Sequence, residues 1–356
     1  MYDLNTLGWN NHFQEEFEPF RKEGCSPARV SLEYQGLYRV LVEDGERLAE
    51  VTGRLRHLAN SREDFPAVGD WVAITPLQNE PKAIIHAVLP RTSKFSRKVA
   101  GTITEEQIVA TNVDTIFLVQ GLDKNYNLRR IERYLTLAFE SGATPVIVLS
   151  KLDLCDELDA RLADVRSRAP GVPVHAISSR SGIGLSELDQ YLRVGRTVAF
   201  LGSSGVGKST LINKLIGEER QKTQDVREAD DRGRHTTVHR ELIVLPAGGL
   251  LVDTPGMREL QLWDVEEGLS DTFSDIEELA ATCRFTDCRH ESEPGCAVLE
   301  AVGQDRVDRA RLENFTKMRR ESEYQESRQD LRAQLERKSR AKRVQRTINR
   351  MKPKRG

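Results

Sequence analysis

Residues 202–209 read GSSGVGKS, a glycine-rich stretch that ends in a lysine and a serine. The apolar run RTVAFL before it is typical of a buried strand, and STLINKLIG after it is typical of a helix. In this arrangement, the glycines allow successive backbone N–H groups to surround a phosphate at the helix N-terminus. The stretch therefore predicts a phosphate-binding loop within an α/β fold.

Apolar and amphipathic segments alternate on both sides of this loop. Six short runs are apolar almost throughout, as expected for strands: VDTIFLVQ, TPVIVLS, VPVHAISS, RTVAFLG, RELIVLP and GLLVDTP. Between them, LRRIERYLTLAFESG and DELDARLADVRSRAPG have helical periodicity. Apolar strands that alternate with helices predict a parallel sheet covered by helices on both faces.

The phosphate loop and a downstream tetrad supply residues for a triphosphate and its metal ion. We expect Lys208 to bridge the β- and γ-phosphate oxygens and the Ser209 hydroxyl to coordinate Mg²⁺. The tetrad Asp253-Thr-Pro-Gly256 adds an acid for the outer sphere of the metal and a glycine N–H for the γ-phosphate. The residues predicted to contact the phosphates are Gly202, Ser203, Ser204, Gly205, Val206, Gly207, Lys208, Ser209, Thr210, Asp253 and Gly256.

The polar segment between these motifs contains GRHTT at 233–237, and we expect a switch that the γ-phosphate orders. Thr237, or alternatively Thr236, is the predicted second protein ligand of Mg²⁺; a plain surface loop is the competing interpretation. Met257 follows the tetrad and cannot orient a water molecule, so intrinsic hydrolysis should be slow. His235 can orient or deprotonate that water, unless it only shapes the loop. The predicted catalytic residues are His235, Lys208 and Thr237.

The run VIVLSKLDL at 146–154 is typical of a guanine-reading turn at the end of a strand. Asp153 can accept two hydrogen bonds from guanine, one from N1–H and one from the exocyclic amine. Adenine offers neither donor at these positions. Ser150 stands where asparagine is usual, with a shorter reach and fewer donors. SSRSGIG at 178–184 suits a loop that closes over the base, although SKLD could instead begin a helix. The predicted base-binding residues are Ser150, Lys151, Leu152, Asp153, Ser178 and Ser179.

The order of these motifs is the reverse of the usual order in GTPases. The base-reading turn and its closing loop come first, and the phosphate loop, the switch and the D-x-x-G tetrad follow. Because strands need only meet in space, such a permutation leaves the sheet intact and changes only which segments are attached to the site.

The segment from about 28 to 95 has a different rhythm, with five short strand-like runs separated by turn signals. These runs are ARVSLEY, LYRVLVE, ERLAEVTGRL, DWVAITP and KAIIHAVLP. Strands at this spacing predict a small closed barrel of the OB type. Such barrels often bind single-stranded or looped nucleic acid, and a purely structural barrel is the alternative. Residues 1–27 have few periodic apolar positions and are predicted to be a loosely held extension.

Three of the five cysteines lie close together with a histidine, in the spacing C-x4-C-x-H-x5-C. Four soft or borderline ligands so close in sequence can complete a tetrahedron around Zn²⁺ and leave no position open for a substrate. This spacing predicts a structural zinc site, with unligated core cysteines as the alternative. The predicted ligands are Cys283, Cys288, His290 and Cys296.

The net charge of −2 conceals an asymmetry between the C-terminal end and the rest of the chain. Residues 337–356 contain ten lysines or arginines and no acid, a composition that suits contact with polyanions or a solvated helix end. No apolar run approaches the length of a membrane span, and the acidic N-terminus is unlike a signal peptide. We therefore expect a cytoplasmic protein that does not bind membranes; a monomer is expected separately, without support from these features.

In these motifs the sequence resembles the circularly permuted, ribosome small-subunit-dependent GTPases. The resemblance covers about residues 35–325 and is carried by VGDWV, NVDTIFLV, GSSGVGKSTLIN, GRHTT, DTPGMREL and CRFTDCRHESEPGCAV. It implies an OB-fold barrel, a permuted GTPase domain and a helical zinc domain with the four ligands named above, and it also favours His235 in hydrolysis. The implied divisions are an extension (1–34), an RNA-binding barrel (35–98), the GTPase domain (99–275), the zinc-binding domain (276–336) and a basic tail (337–356).

The resemblance also implies an activity and a partner. The chain is expected to hydrolyse GTP to GDP and phosphate during late maturation of the small (30S) ribosomal subunit, to bind 16S rRNA and to be stimulated by the subunit. One alternative is a nucleotide-gated RNA-binding assembly factor in which hydrolysis is incidental. Another is an ATP-driven RNA remodeller, if Ser150 has abolished guanine selection.

Overall fold

The structure is a computed structural model of the 356-residue chain. It describes residues 2–34, 36–98, 106–217, 240–253 and 266–324. The chain forms two compact units, Met1–Gln261 and Leu262–Gly356, and each is described by itself. Among the described residues, no helix has the length and apolarity needed to span a bilayer.

Helix α1, Asn11–Lys22, precedes the first strand and packs against the barrel. Phe13 and Phe17 lie one helical turn apart and are both buried. Trp9, just before the helix, meets Trp71 of the barrel edge-on, with 4.7 Å between the ring centroids. We predicted a loosely held extension here. The aromatic rings instead anchor it, because each buried ring removes a large apolar area from water.

Five strands form a closed barrel: β1 Ser26–Tyr34, β2 Leu37–Val42, β3 Gly45–Val51, β4 Trp71–Pro76 and β5 Lys82–Val88. They pair in the order β1-β2-β3-β5-β4, and β4 pairs back to β1, which closes the barrel. Helix α2, Gly53–Leu58, lies between β3 and β4. This barrel fits the predicted OB-fold. It begins at Ser26, so β1 belongs to the barrel and not to the extension that we placed at 1–34.

Two short strands, β6 Lys94–Lys98 and β7 Glu106–Thr111, pair with each other and lead into the α/β domain. The sheet of that domain contains β8 Thr115–Gly121, β9 Thr144–Ser150, β10 Val174–Ala176, β11 Thr197–Leu201, β12 Glu241–Val244 and β13 Leu250–Asp253. Their spatial order is β10-β9-β8-β11-β13-β12, and all neighbours are parallel except β12 and β13. This arrangement confirms the predicted α/β sheet.

The helices of the α/β domain are α3 Leu128–Glu140, α4 Leu158–Arg168 and α5 Lys208–Ile216. The strands are apolar because they lie in the core: every residue of β8 and β11 is buried. Phe117, Val148 and Phe200 pack there with Leu211 of α5 in one cluster. The order of the strands in the sheet differs from their order in the chain, as in other doubly wound sheets.

Arg29 of β1 joins the barrel to the α/β domain. Its side chain is buried and donates hydrogen bonds to the carbonyls of Leu7, Gly69 and Asn112 and to the Thr197 hydroxyl. Burial lowers the pKa of the guanidinium to about 10, so it stays charged at neutral pH. Because its donors are satisfied, the desolvation cost of this buried charge is partly offset.

The C-terminal unit is helical in its described residues. It contains α6 Glu266–Thr272, α7 Ser274–Ala280, α8 Ala297–Gly303 and a further helix, α9, over 309–324. Phe273 packs against Phe315 of α9 with 5.3 Å between the ring centroids, and Arg311 binds Asp275 at 2.7 Å. We predicted that the α/β domain extends to residue 275. Helix α6 belongs instead to this unit, because Leu269 and Phe273 are buried within it.

Candidate nucleotide-binding site and metal centre

Four parallel strands bring the predicted site residues to one edge of the sheet. β8 ends at Gly121, β9 at Ser150, β11 at Leu201 and β13 at Asp253. Because the carboxyl ends of parallel strands share an edge, the loops that follow them meet there, beside the point where the chain order switches. This is where an α/β sheet of this type places its ligand.

The phosphate loop joins β11 to α5, and two of its glycines have a clear steric reason. A Cβ on Gly202 would lie 2.4 Å from the Val119 carbonyl oxygen, so the loop could not pass so close to β8 with a larger residue. Gly207 has φ 96°, a left-handed conformation that favours glycine. Helix α5 begins at Lys208, so its N-terminal N–H groups face the loop and favour an anion there.

Two cations contact this loop. The Lys208 Nζ donates to the carbonyl oxygens of Gly202 at 2.6 Å and Ser203 at 2.7 Å. Arg130 of α3 donates to the Ser203 hydroxyl at 3.0 Å, and among the described residues it forms no ion pair with an acid. Sequence reasoning missed Arg130. The sequence feature that could have indicated Arg130 is its position in the first turn of the helix that follows β8, because β8 pairs with β11.

The predicted base-reading turn lies at the end of β9. Lys151 has φ 61° and donates to the Asp123 carboxylate at 2.6 Å. Burial tends to raise the pKa of Asp123, but hydrogen bonds from Lys151 and from backbone N–H groups hold it below its ordinary value. Leu152–Leu154 form a single 3₁₀ turn and not the start of an α-helix. Asp123 was not predicted, because only the pairing of β8 with β9 brings it here.

The closing loop contacts the same turn. The Ser178 hydroxyl donates to the Asp153 carboxylate at 2.6 Å, and the Leu152 N–H donates to the Ile177 carbonyl at 3.0 Å. Ser179 is buried, and its hydroxyl has no hydrogen-bond partner among the described residues. Such buried hydroxyls are rare, and a polar ligand beside this loop would satisfy it.

Ser150 connects the base-reading turn to the phosphate loop. Its side chain is buried, and its hydroxyl donates to the Val206 carbonyl at 2.5 Å, with the Gln120 carbonyl as a longer second acceptor at 3.3 Å. Two segments that the sequence places in reverse order are therefore in direct contact at one edge of the sheet.

The remaining predicted residues of this site have less structural description. Ser209 and Thr210 lie in the first turn of α5, and Ser204 and Gly205 are exposed at the tip of the phosphate loop. Asp253 is described only by its backbone, opposite Glu241 in the β12–β13 pair. His235, Thr237 and Gly256 lie outside the described residues.

The four predicted metal ligands come together in the C-terminal unit. Their ligand atoms all lie within 4.8 Å of one another, and the Cys283 and Cys296 sulfurs are 3.8 Å apart. Tetrahedral Zn–S bonds of about 2.3 Å would separate two sulfurs by about 3.8 Å. His290 reaches the cluster through a left-handed backbone, φ 60°, and its Nδ1 lies 3.4 Å from the Cys296 sulfur. The cluster could hold one metal ion.

The surroundings of the cluster shift the pKa values of its own residues. Burial and the neighbouring thiols raise the pKa of Cys288 to about 11. Burial, together with Arg319, lowers the pKa of His290, which keeps the imidazole neutral and able to coordinate. A divalent cation would compensate the thiolates that form when the metal replaces their protons.

The chain matches two protein-family models and several known relatives. Residues 88–263 match the family model described as RsgA GTPase, and residues 197–342 match one described as 50S ribosome-binding GTPase. The small ribosomal subunit biogenesis GTPase RsgA of Opitutus terrae is 48% identical over 92% of this chain and 92% of its own length.

Two solved structures are also similar. The YjeQ structure from Thermotoga maritima has a TM-score of 0.62 and 29% identity, and the match covers 83% of this chain and 97% of that one. The YloQ structure, described as a circularly permuted GTPase, has a TM-score of 0.57 and 25% identity, with 82% and 93% covered. With a phosphate loop between β11 and α5 and near-full-length relatives at this level of identity, the chain belongs to the RsgA family of small ribosomal subunit biogenesis GTPases.

Proposed function

We propose that this protein hydrolyses GTP to GDP and phosphate during late maturation of the small ribosomal subunit, with stimulation by the subunit. The observation that carries the proposal is the contact between the base-reading turn and the phosphate loop, made by the Ser150 hydroxyl and the Val206 carbonyl at 2.5 Å. One nucleotide can therefore reach both segments at once. The biological process is taken from the names of the relatives, which are small ribosomal subunit biogenesis GTPases.

Recognition of guanine rests on Asp153. Its carboxylate accepts from guanine N1–H and the exocyclic amine, and the Ser178 hydroxyl holds it in place at 2.6 Å. Adenine has no N1–H and no amine at the position of the guanine 2-amine, so it would leave the carboxylate unpaired. We expect discrimination against adenine of about 10⁴-fold. Lys151, fixed by Asp123, lies along the base with its alkyl stem, while Leu152 and the closing loop complete the pocket.

Hydrolysis depends on charge stabilisation at the phosphate loop. Lys208 exchanges its contacts with loop carbonyls for the β- and γ-phosphate oxygens, and the N-terminus of α5 adds N–H donors. We propose that Asp253 and Gly256 face the γ-phosphate side and that His235 orients the attacking water. A purely loop-shaping role is the alternative for His235.

Two metal ions belong to the proposal. The Ser209 hydroxyl and Thr237 would hold Mg²⁺, which would supply positive charge beside the phosphates of GTP. Cys283, Cys288, His290 and Cys296 would hold Zn²⁺, and four protein ligands would leave no position for a substrate. Its role there is structural.

For 16S rRNA, we propose that the barrel binds through α2 and the turn that follows it. Arg54, Arg56, His57 and Arg62 are all exposed in this segment, and none forms an ion pair with a described acid. Two of the nearby acids already have other partners. Asp64 accepts backbone N–H groups within its own turn, at 2.7 and 3.0 Å, and Glu63 binds Lys94. The positive charge is therefore available to phosphates.

The outer face of β2 and β3 is less suited to RNA. It exposes Leu37 and Leu48, together with the carboxylates of Glu46 and Glu50. Acids on that face would repel a phosphate backbone. The basic tail, 337–356, supplies further phosphate contacts in this proposal.

For the domain organisation, we propose a barrel that starts at Ser26 and ends near 98, followed by the permuted GTPase domain. The metal-binding helical domain then starts with α6, and the tail over 337–356 ends the chain. We further propose that the protein acts as a monomer in the cytoplasm, where small subunits are assembled, and that it does not bind membranes.

The decisive experiment measures turnover against the concentration of purified small subunits, in parallel with GTP and with ATP. We expect slow turnover of GTP alone, about 10⁻⁴–10⁻² s⁻¹, and an increase of about 10²-fold or more at saturating subunit. ATP should support no turnover above background.

Each other outcome has a definite meaning. If GTP binds but turnover does not rise with subunits, the protein is a nucleotide-gated assembly factor and the enzymatic proposal is wrong. Equal turnover of ATP would exclude guanine recognition by Asp153 and favour an ATP-driven remodeller.

A further inference from the structure

Ser150 occupies the first position of the base-reading turn, but its contacts lie elsewhere. The side chain is 2% exposed and stands at the last residue of β9. A serine hydroxyl has a single proton to donate. Here that proton is directed to the Val206 carbonyl at 2.5 Å, with the Gln120 carbonyl at 3.3 Å sharing it at most.

The acceptor is central to the phosphate loop. Val206 is fully buried in the core of the α/β domain, and its carbonyl is followed directly by Gly207, whose left-handed backbone starts α5. A Cβ built on Gly207 would lie 3.9 Å from the Ser150 hydroxyl, so Ser150 packs against the loop. The hydroxyl thus fixes the loop at the point where its N–H groups turn toward a phosphate.

The Ser150 hydroxyl therefore has no further proton to donate to the base. Guanine presents acceptors at N7 and O6, and an acceptor needs a donor opposite it. An asparagine amide carries two protons, so it could hold the loop and reach the base at the same time. Ser150 has one proton, and the loop already takes it.

We infer that Ser150 is a positioning residue of the phosphate loop, not a base reader, and that Asp153 alone of this turn selects guanine. The inference rests on the proposed function and deepens it. Ser150 then sets affinity for the diphosphate part of any bound nucleotide, whereas the base edge that carries N7 has no side-chain contact from this position.

The test compares GDP with 7-deaza-GDP, which lacks only the N7 acceptor, by calorimetry on the full chain. Ser150→Ala should weaken the binding of both ligands by the same factor, about tenfold, because a buried carbonyl loses its donor. The ratio of the two dissociation constants should therefore not change. Ser150→Asn should create a preference for GDP over 7-deaza-GDP that the wild type lacks.

Two controls keep the result interpretable. Ser150→Thr keeps the hydroxyl and should restore affinity, which a merely packing role would not require. Asp153→Asn should lower GDP affinity and raise affinity for xanthosine diphosphate, whose extra carbonyl accepts from the new amide.

The possible failures are distinct. If the wild type prefers GDP over 7-deaza-GDP and Ser150→Ala removes that preference, Ser150 reads the base and the inference is overturned while the proposed function stands. If Ser150→Ala binds both ligands as tightly as the wild type, the positioning role is overturned. If the wild type binds neither ligand, the proposed function and the inference both fail.

Discussion

The metal centre and the nucleotide site are built in opposite ways. All four residues that could hold a metal lie within 283–296, and local backbone turns such as the left-handed His290 bring their ligand atoms within 4.8 Å of one another. The nucleotide site draws on the ends of β8, β9 and β11, and its internal contact joins Ser150 to Val206. A spacing in the sequence is therefore enough to form the first site, whereas the second exists only when the sheet is assembled.

The two sites also differ in what stabilises the unit around them. The C-terminal unit has a small described core, and binding of a structural zinc ion contributes about 10–16 kcal/mol of apparent free energy in comparable modules. The Met1–Gln261 unit instead has an extensive buried core in its barrel and its α/β sheet. The two sites should thus respond to different perturbations.

The largest effect should follow from breaking the metal centre. We expect Cys296→Ser, or removal of the metal by a chelator, to unfold the C-terminal unit, since most of its folding free energy is lost. Circular dichroism and limited proteolysis report the unfolding, and calorimetry should still find GDP binding in the first unit.

The matched control is Cys155→Ser, at a half-buried thiol that no predicted site uses. It should leave both the metal content and the proteolysis pattern as in the wild type. Retained metal and intact helices in Cys296→Ser would contradict the local construction of the metal centre.

The next effect concerns the phosphate loop. Lys208→Ala should lower GTP turnover by about 10²–10³-fold, because a cation aimed at developing negative charge is lost. Zinc content and the unfolding of the C-terminal unit should not change. Lys214→Ala, at an exposed position of the same helix, is the control and should keep full turnover.

A Lys208→Ala protein that also lost its zinc would show that the two sites are coupled. The metal centre and the nucleotide site would then not be independent of each other.

The smallest effect concerns Arg130. Arg130→Ala removes the hydrogen bond to the Ser203 hydroxyl, and we expect kcat/KM for GTP to fall by about tenfold, with no change in the melting temperature. Arg130→Lys should restore part of the lost kcat/KM, and Arg129→Ala, at the neighbouring exposed position of α3, should keep the kcat/KM of the wild type. A shift in melting temperature with normal kinetics would instead assign Arg130 a structural role.

The sequence was most informative where chemistry is local. Gly202 and Gly207 are required by the close approach to Val119 and by a left-handed backbone, so their spacing predicts the loop. It was least informative about side chains whose partners are distant. Nothing near Asp123 in the sequence indicates that it would bind Lys151, and only the register of β8 against β9 brings them together.

The N-terminal segment shows the same limit. Trp9 and Phe13 resemble scattered aromatic residues of an extension until Trp71 of the barrel gives them a surface to pack against. Arg29 resembles an ordinary strand arginine, yet it is buried, because carbonyls from three other segments accept its protons.

By itself, the sequence determined the glycine-rich loop, the cluster of three cysteines and a histidine that could hold a metal, the alternation typical of a parallel sheet, and the order of the motifs. These features depend on contacts between residues close along the chain, or on the burial periodicity of single segments. Only the tertiary structure decided which side chains meet at this edge of the sheet, and that the Ser150 hydroxyl binds the Val206 carbonyl. Those contacts join residues far apart in the chain, and their geometry is set by the packing of the whole sheet.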